Sequence, residues 1–321
     1  MCGLCLALFS TSPAWCSDRK GTLSIALEND LFGAGTDKHY THGTEISYVS
    51  DTYVPKWLRS TADVIWFYQS NDETRFSWSL GQKIYTPNEI TEPELIVDDR
   101  PYAGWTYLSL GLTTNDIEET YRTVASFELI AGIVGPNSGA EDAQIKVHEL
   151  IGSDIPEGWS NQLDNEWTAD LRYRRSWLLP IWQDNIDVIP NLGFTLGSSQ
   201  RRGGGGFTLR VGSGLASDDG PPLIRPAPSG SNYFKPDQAF YWYFFVGANG
   251  EYVDYNIFLD GNRDGASHSV ERIAEQGNIQ AGLVMGGGNW RLSFTNIYKT
   301  REFEDQAEAD EFGSISLSYR F

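Results

Sequence analysis

The chain has 321 residues, with 43 acidic against 24 basic side chains and a formal net charge of -19. Neutralising phosphates takes clustered Lys and Arg, so this balance argues against a nucleic-acid binder and favours a partner met through bound divalent cations. After the opening segment no stretch reaches the roughly 18 consecutive apolar residues of a membrane-spanning helix, which excludes a helical membrane protein.

The opening MCGLCLALFSTSPAWCS has a short apolar core, Leu4 to Phe9, then small residues, a cleavage site after Cys16 and Ala14 at the minus-three position. It resembles a secretory signal peptide without the usual basic start. Residues 1–16 are read as that leader and 17–321 as one domain. Cys2, Cys5 and Cys16 are the three cysteines of the chain. All lie in the leader, and a cysteine-free exported chain fits the oxidising periplasm and outer membrane.

From Gly21 onward, segments of about ten residues alternate apolar and polar, as strands do when lipid covers one face and a polar lumen the other. In chain order they are Thr22 to Asn29, His42 to Ser50, Phe76 to Ile84, Gly104 to Leu112 and Tyr121 to Val134. After an interruption come Glu166 to Leu178, Asp187 to Gly197, Phe207 to Gly214, Ala239 to Ala248, Tyr252 to Leu259, Ile279 to Gly286, Trp290 to Tyr298 and Gly313 to Phe321. A single-chain bacterial barrel has an even number of strands, so one of these candidates is surplus. Tyr252 to Leu259 is the weakest, because Asp260-Gly-Asn resembles a loop. The final strand puts Ile315, Leu317, Tyr319 and Phe321 on one face and Ser314, Ser316, Ser318 and Arg320 on the other. It resembles the C-terminal signal of outer-membrane barrels.

The expected fold is therefore all-β, a transmembrane antiparallel barrel of about twelve strands in the bacterial outer membrane. The longer connections fall at about Asp51 to Thr74, Asn88 to Ala103, Pro136 to Asn165, Ser217 to Asp237 and Asp260 to Gln276, and long loops are expected on the outside. The 11 Trp and 16 Tyr suit aromatic girdles at the two interfaces.

The interruption, Pro136 to Gly152, has apolar residues at Ala140, Ala143, Val147, Leu150 and Ile151, a helical spacing. Ser138 and Glu141 form a Ser-x-x-Glu capping box at its start, and Gly152 is placed to end it. Gln144 and His148 are four residues apart and share one helix face, with Glu141 a turn further back.

Several polar groups go beyond what a barrel requires. By strand parity Glu28 and Asp30 turn toward the lumen, opposite Leu23, Ile25 and Leu27, and oxygen ligands grouped in this way suit calcium. Thr41 shares a face with Glu45 and Ser47, so its hydroxyl is expected to point inward, as is Lys83. Of the four histidines, His39, His42, His148 and His268, His148 stands out because its helix interrupts the barrel.

Nine motifs, in order, span the mature chain. They are Glu28-Asn-Asp30, Tyr40-Thr-His-Gly43, Gly81-Gln-Lys-Ile-Tyr-Thr-Pro87, Asp99-Arg-Pro-Tyr-Ala-Gly104, Gly135-Pro-Asn-Ser-Gly139, Gln144 to His148, Gly158-Trp-Ser-Asn-Gln-Leu163, Leu259-Asp-Gly-Asn262 and Thr300-Arg-Glu-Phe303. Together they resemble the outer-membrane lipid A 3'-O-deacylase family. The resemblance implies a twelve-strand barrel with a calcium-dependent site near its outer rim, acting on lipopolysaccharide among outer-membrane lipids as a monomer. It implies His148 as general base, Asn29 and Asp30 in the calcium and oxyanion region, and Thr41 and Lys83 positioning substrate or stabilising the oxyanion. Gln144 and Arg100 are implied as substrate-binding or supporting residues. Parity turns Asn29 away from Asp30, so a bulge or strand exit is needed to bring it into the site. The chain has no Gly-x-Ser-x-Gly elbow, so water is the expected nucleophile, a logic that resembles calcium-dependent phospholipases A2. An outer-membrane phospholipase with a Ser and His pair, or a pore or adhesin barrel, are the other readings. The helix is expected to hold His148 over inward groups of the first three strands.

Overall fold

The computed structural model describes residues 20–30, 39–51, 53–62, 68, 70–222 and 232–321. The leader read at 1–16, with its cysteines, lies outside them. Twelve antiparallel strands, each paired with its neighbours in sequence, close into a barrel where the last meets the first. They are β1 (Gly21–Asn29), β2 (His39–Ser50), β3 (Arg75–Thr86), β4 (Ala103–Ile117), β5 (Arg122–Val134), β6 (Glu166–Trp182), β7 (Ile186–Gly197), β8 (Gln200–Ser213), β9 (Tyr241–Asn256), β10 (Glu275–Gly287), β11 (Trp290–Lys299) and β12 (Asp310–Arg320). Helices occur at α1 (Lys56–Ala62), α2 (Ala140–Ile151) and α3 (Ile257–Asp260).

Closure leaves no open sheet edge, as a lipid-embedded backbone requires. At the closing seam Leu23, Ile25 and Leu27 pair with Tyr319, Leu317 and Ile315 on the outer face. One residue out of phase, Ser24 donates to Ser318 in the lumen at 2.7 Å. The same period sets a charged interior, where Arg172 meets Glu128 at 2.7 Å and the Tyr107 hydroxyl donates to Glu45 at 2.8 Å.

The surplus strand candidate is resolved by merging. Tyr252 to Asn256 continues β9, and Ile257 begins α3, whose start is capped by the Asn256 side chain accepting from the Phe258 N–H.

An even strand count puts both termini at one end, together with the short β4–β5, β6–β7 and β10–β11 turns; this is the periplasmic end of such a barrel. Two of the long connections expected outside lie at this end instead, between β2 and β3 and between β8 and β9. The second folds back into the lumen. The Asn232 amide donates to Ser47 at 2.9 Å, the Arg75 guanidinium sits 3.6 Å from the Tyr233 ring centre, and Asp218 takes Arg210 at 2.6 Å. The β2–β3 connection packs on the outer wall, burying Leu58 and Tyr68 against Leu112, Ala125, Phe127 and Tyr173. Length thus reflects work done in closing and bracing one end, which loop length alone does not distinguish from an external loop. A barrel stoppered in this way is expected to show no stable conductance steps in planar bilayers; open-channel currents from folded protein would count against the closure.

Candidate active site

The β5–β6 connection stands at the outer end, and α2 lies against the outside of the wall, over β3 and β4. Its seat is made by an absent side chain. A Cβ on Gly104 would collide with Ala140 and Ser138, so only glycine lets the helix start lie flat on β4. The Ser138 carbonyl accepts from the Gln82 amide and the Thr106 hydroxyl, both at 2.8 Å. Ala140 is buried with Ile84, Tyr102 and Trp159.

The capping box expected from Ser138 and Glu141 does not form. Residues Pro136–Ser138 make a 3-10 turn, Gly139 is the N-cap at φ 69° and makes no side-chain cap bond, and the Ser138 hydroxyl accepts from the Ala140 N–H at a long 3.4 Å. Glu141 instead accepts from Gln162 at 3.1 Å, and its charge, with that of Asp142, suits the positive end of the helix dipole. Gly152 does end α2, at φ 73°, with its N–H on the His148 carbonyl at 2.8 Å; left-handed geometry there favours glycine.

The buried stripe of α2 is Ala140, Gln144 and His148. Leu150 points the other way, 85% exposed, while Val147 and Ile151, about half exposed, edge the space between the helix and the wall. The exposed side of the helix mixes Leu150 with the charged Asp142, Lys146 and Glu149, as suits a position at the rim where lipid meets water. Between α2 and the wall runs a groove of about 410 Å³, polar at Asn29, Thr41, His42, Gln144 and His148, and apolar at Ile46, Leu80, Val147 and Ile151.

The groove lies on the outer face of the wall, so the expectation that His148 faces inward groups is corrected. Asn29 pairs with His42 on the lipid-facing side. Thr41 joins them because the β2–β3 register slips between Tyr40 and His42. A bulge places two successive residues on one face, so Thr41 turns outward, its hydroxyl 2.6 Å from that of Thr86, and not inward with Glu45 as parity required. The Asn29 amide donates to the Thr41 carbonyl at 2.8 Å, tying the strand end to the bulge.

His148 Nδ1 lies 2.5 Å from the Asp154 carbonyl. A carbonyl only accepts, so Nδ1 carries the proton and the neutral ring has its lone pair on Nε2. Gln144 is oriented from behind, its Oε1 accepting from Trp159 at 3.0 Å. Its Nε2 is buried with no hydrogen-bond partner among the described residues.

Of the residues singled out from sequence, Asn29, Thr41, Gln144 and His148 line this one groove. Asp30 follows β1 and is buried, 2% exposed, without lining it. Lys83 faces the lumen, 3.9 Å from Glu28. Arg100 is buried under the outer loops, 3.3 Å from Glu302 and over the Tyr85 ring at 4.7 Å. Sequence reasoning gave no role to His42 or Trp159. His42 pairs with Asn29 and is close enough to His148 to interact electrostatically, and its Nε2 is 2.7 Å from the Thr44 hydroxyl. Parity was the available signal, since His42 is in phase with Thr44 and Ile46 on the side of Asn29.

The model of the family described as outer membrane protein LpxR matches residues 2–321. Among solved structures, LpxR from Salmonella typhimurium superposes with a TM-score of 0.75 at 18% identity, covering 94% of this chain and 100% of that one. The β domain of the Bordetella autotransporter BrkA gives 0.46 at 10% identity over 95% and 100% of the two chains. The translocator domain of NalP from Neisseria meningitidis gives 0.40 at 12% over 94% and 88%. No curated protein matches in sequence. The family match over the whole chain decides the membership: the chain belongs to the outer membrane protein LpxR family, the family its nine motifs resemble.

Proposed function

We propose that the protein is a calcium-dependent lipid A 3'-O-deacylase, hydrolysing the 3' acyloxyacyl ester of lipopolysaccharide with His148 as general base. The observation that carries this reading is the His148 imidazole, its tautomer fixed by Asp154, set against Asn29, Thr41 and His42 in a groove that opens on the lipid-facing wall. An ester buried in a leaflet can reach such a site sideways. Its acyl chain would lie along Ile46, Leu80 and Val147 while its carbonyl meets the polar end.

His148 Nε2 takes the proton of the attacking water, and the Asp154 carbonyl holds the resulting imidazolium through Nδ1–H. The Gln144 amide gives its Nε2–H to the carbonyl oxygen as negative charge develops there. His148 then returns the proton to the departing sugar oxygen. Loss of 3'-linked acyl groups from lipid A incubated with the purified protein, read by mass spectrometry, tests the reading; an unchanged acyl pattern overturns it.

By type, the oxygens of Asn29 and Asp30 suit calcium. Donation by the Asn29 amide to Thr41 fixes which end of that side chain is its oxygen, and with the Asp30 carboxylate it offers hard oxygen ligands. No group of three or more His, Cys, Asp or Glu able to hold a metal occurs among the described residues. When bound, the ion supplies positive charge for the oxyanion. One carboxylate among neutral oxygens implies weak, exchangeable binding, with a Kd on the order of 10⁻⁴–10⁻³ M. Chelation is therefore expected to silence the enzyme and calcium in that range to restore it. Full activity in excess chelator would remove the ion from the mechanism.

Ser153 also lines the groove, so the serine-nucleophile reading has a specific test. Ser153→Ala is expected to keep at least half of the activity, whereas loss comparable to that of a His148 variant would favour a serine esterase.

A further inference from the structure

Groove residues that belong to the wall have sequence neighbours that point into the lumen, because the wall is one strand thick. Glu28 precedes Asn29, Tyr40 precedes Thr41, Gly43 follows His42 and Lys83 follows Gln82. On the inner face Gly43 lies between Glu28 of β1 and Lys83 of β3 in the pairing register. Strands two apart are separated by about 9–10 Å, yet Lys83 Nζ comes within 3.9 Å of Glu28. The bare glycine makes this possible. A Cβ there would strike the Tyr40 hydroxyl and come within 2.8 Å of the Glu28 carboxylate. The Tyr40 hydroxyl donates to that same Glu28 oxygen, and Lys83 lies 5.3 Å from the centre of the Tyr40 ring. Tyr40 is also the residue at which the β2–β3 register breaks.

We propose that Glu28, Tyr40 and Lys83, meeting over Gly43 in the lumen, form a brace that fixes the bulge in β2 and so positions Thr41, His42 and Asn29 on the opposite face. These are positioning residues. The proposal rests on the deacylase reading only for its effect on rate; its effect on the strand stands apart. It also gives Lys83 a way of acting on a groove it does not line. Without the brace β2 is free to return to regular alternation, which turns Thr41 toward the lumen and breaks the carbonyl contact to Asn29.

The test uses full-length folded barrels carrying Tyr40→Phe, Lys83→Met or Gly43→Ala. Amide hydrogen exchange across residues 39–44 is expected to quicken about tenfold in each, and unchanged exchange in all three overturns the brace. In the deacylation assay kcat is expected to fall by about 10- to 100-fold, the cost of roughly 1 Å of misplacement, with KM within twofold. Tyr40→Phe combined with Lys83→Met is expected to be no worse than either alone, and Lys83→Arg to recover most of the rate. Quickened exchange with wild-type kcat shows a brace that does not position the site, and overturns the proposal. A wild-type protein that hydrolyses no acyl ester overturns the deacylase reading, and the exchange result then decides the brace by itself.

Discussion

His148→Asn is expected to lower deacylation by about 10²- to 10⁴-fold, the usual contribution of a general base, while leaving a barrel that still resists heat in detergent. The substitution is selective. An Asn amide can still donate toward the Asp154 carbonyl, which His148 Nδ1 holds at 2.5 Å, but it has no basic nitrogen to take a proton from water. Folding should be spared, because α2 lies outside a barrel whose twelve strands close without it. Gln144→Ala provides the scale. It removes one hydrogen-bond donor, worth about 1–3 kcal/mol when buried, so it should cost roughly 5- to 150-fold and less than the loss at His148. A folded His148→Asn protein retaining more than a tenth of wild-type rate would remove His148 from the chemistry.

What the sequence reveals about this molecule follows the range of each physical rule. The barrel is legible because its period-two pattern is imposed by lipid on one side and water on the other, and it repeats in every strand. Tyr252 to Leu259, the weakest strand candidate, is indeed no strand of its own; it looked like one because β9 runs into a short helix with no turn between. At the site, parity handled Glu28 and Lys83, which the structure does place in the lumen. It failed at Thr41, because one inserted residue reverses the face of its neighbours and leaves no compositional mark. The same slip hides that Asn29, outward by parity, is already where the groove is, so that no strand exit is needed to bring it there. The helix was visible as a change of period, but its orientation was not. Apolar residues at helical spacing ordinarily mark the face that packs on protein; here Ala140 does so, Val147 and Ile151 edge a groove, and Leu150 is exposed, so the buried stripe is set by Gln144 and His148 instead. With that stripe against the wall, His148 lies on the outer face and not above the lumen.

Gly104→Leu carries the second large effect, on the seat of the helix. Even a Cβ at this position collides with Ala140 and Ser138, and the added chain leaves no room for the Ser138 carbonyl to keep its bonds to Gln82 and Thr106. Overpacking costs about 1–3 kcal/mol. An isolated helix of about 12 residues is marginal in water, so the strain is expected to be relieved by lifting the start of α2 off β4 and not by opening the barrel. His148 and Gln144 ride on that helix, and misplacing them by about 1 Å is worth roughly 100-fold in rate. The expected result is a heat-resistant barrel with about 1% of wild-type deacylation and faster amide exchange confined to residues 136–152. The milder Gly104→Ala should lose less, and adding Ala140→Gly, which removes one of the two colliding groups, should return part of the rate. Recovery by a substitution that touches neither His148 nor the ester would tie activity to the height of the helix above the wall. Wild-type activity in folded Gly104→Leu would instead mean that the groove does its chemistry without α2 seated on β4.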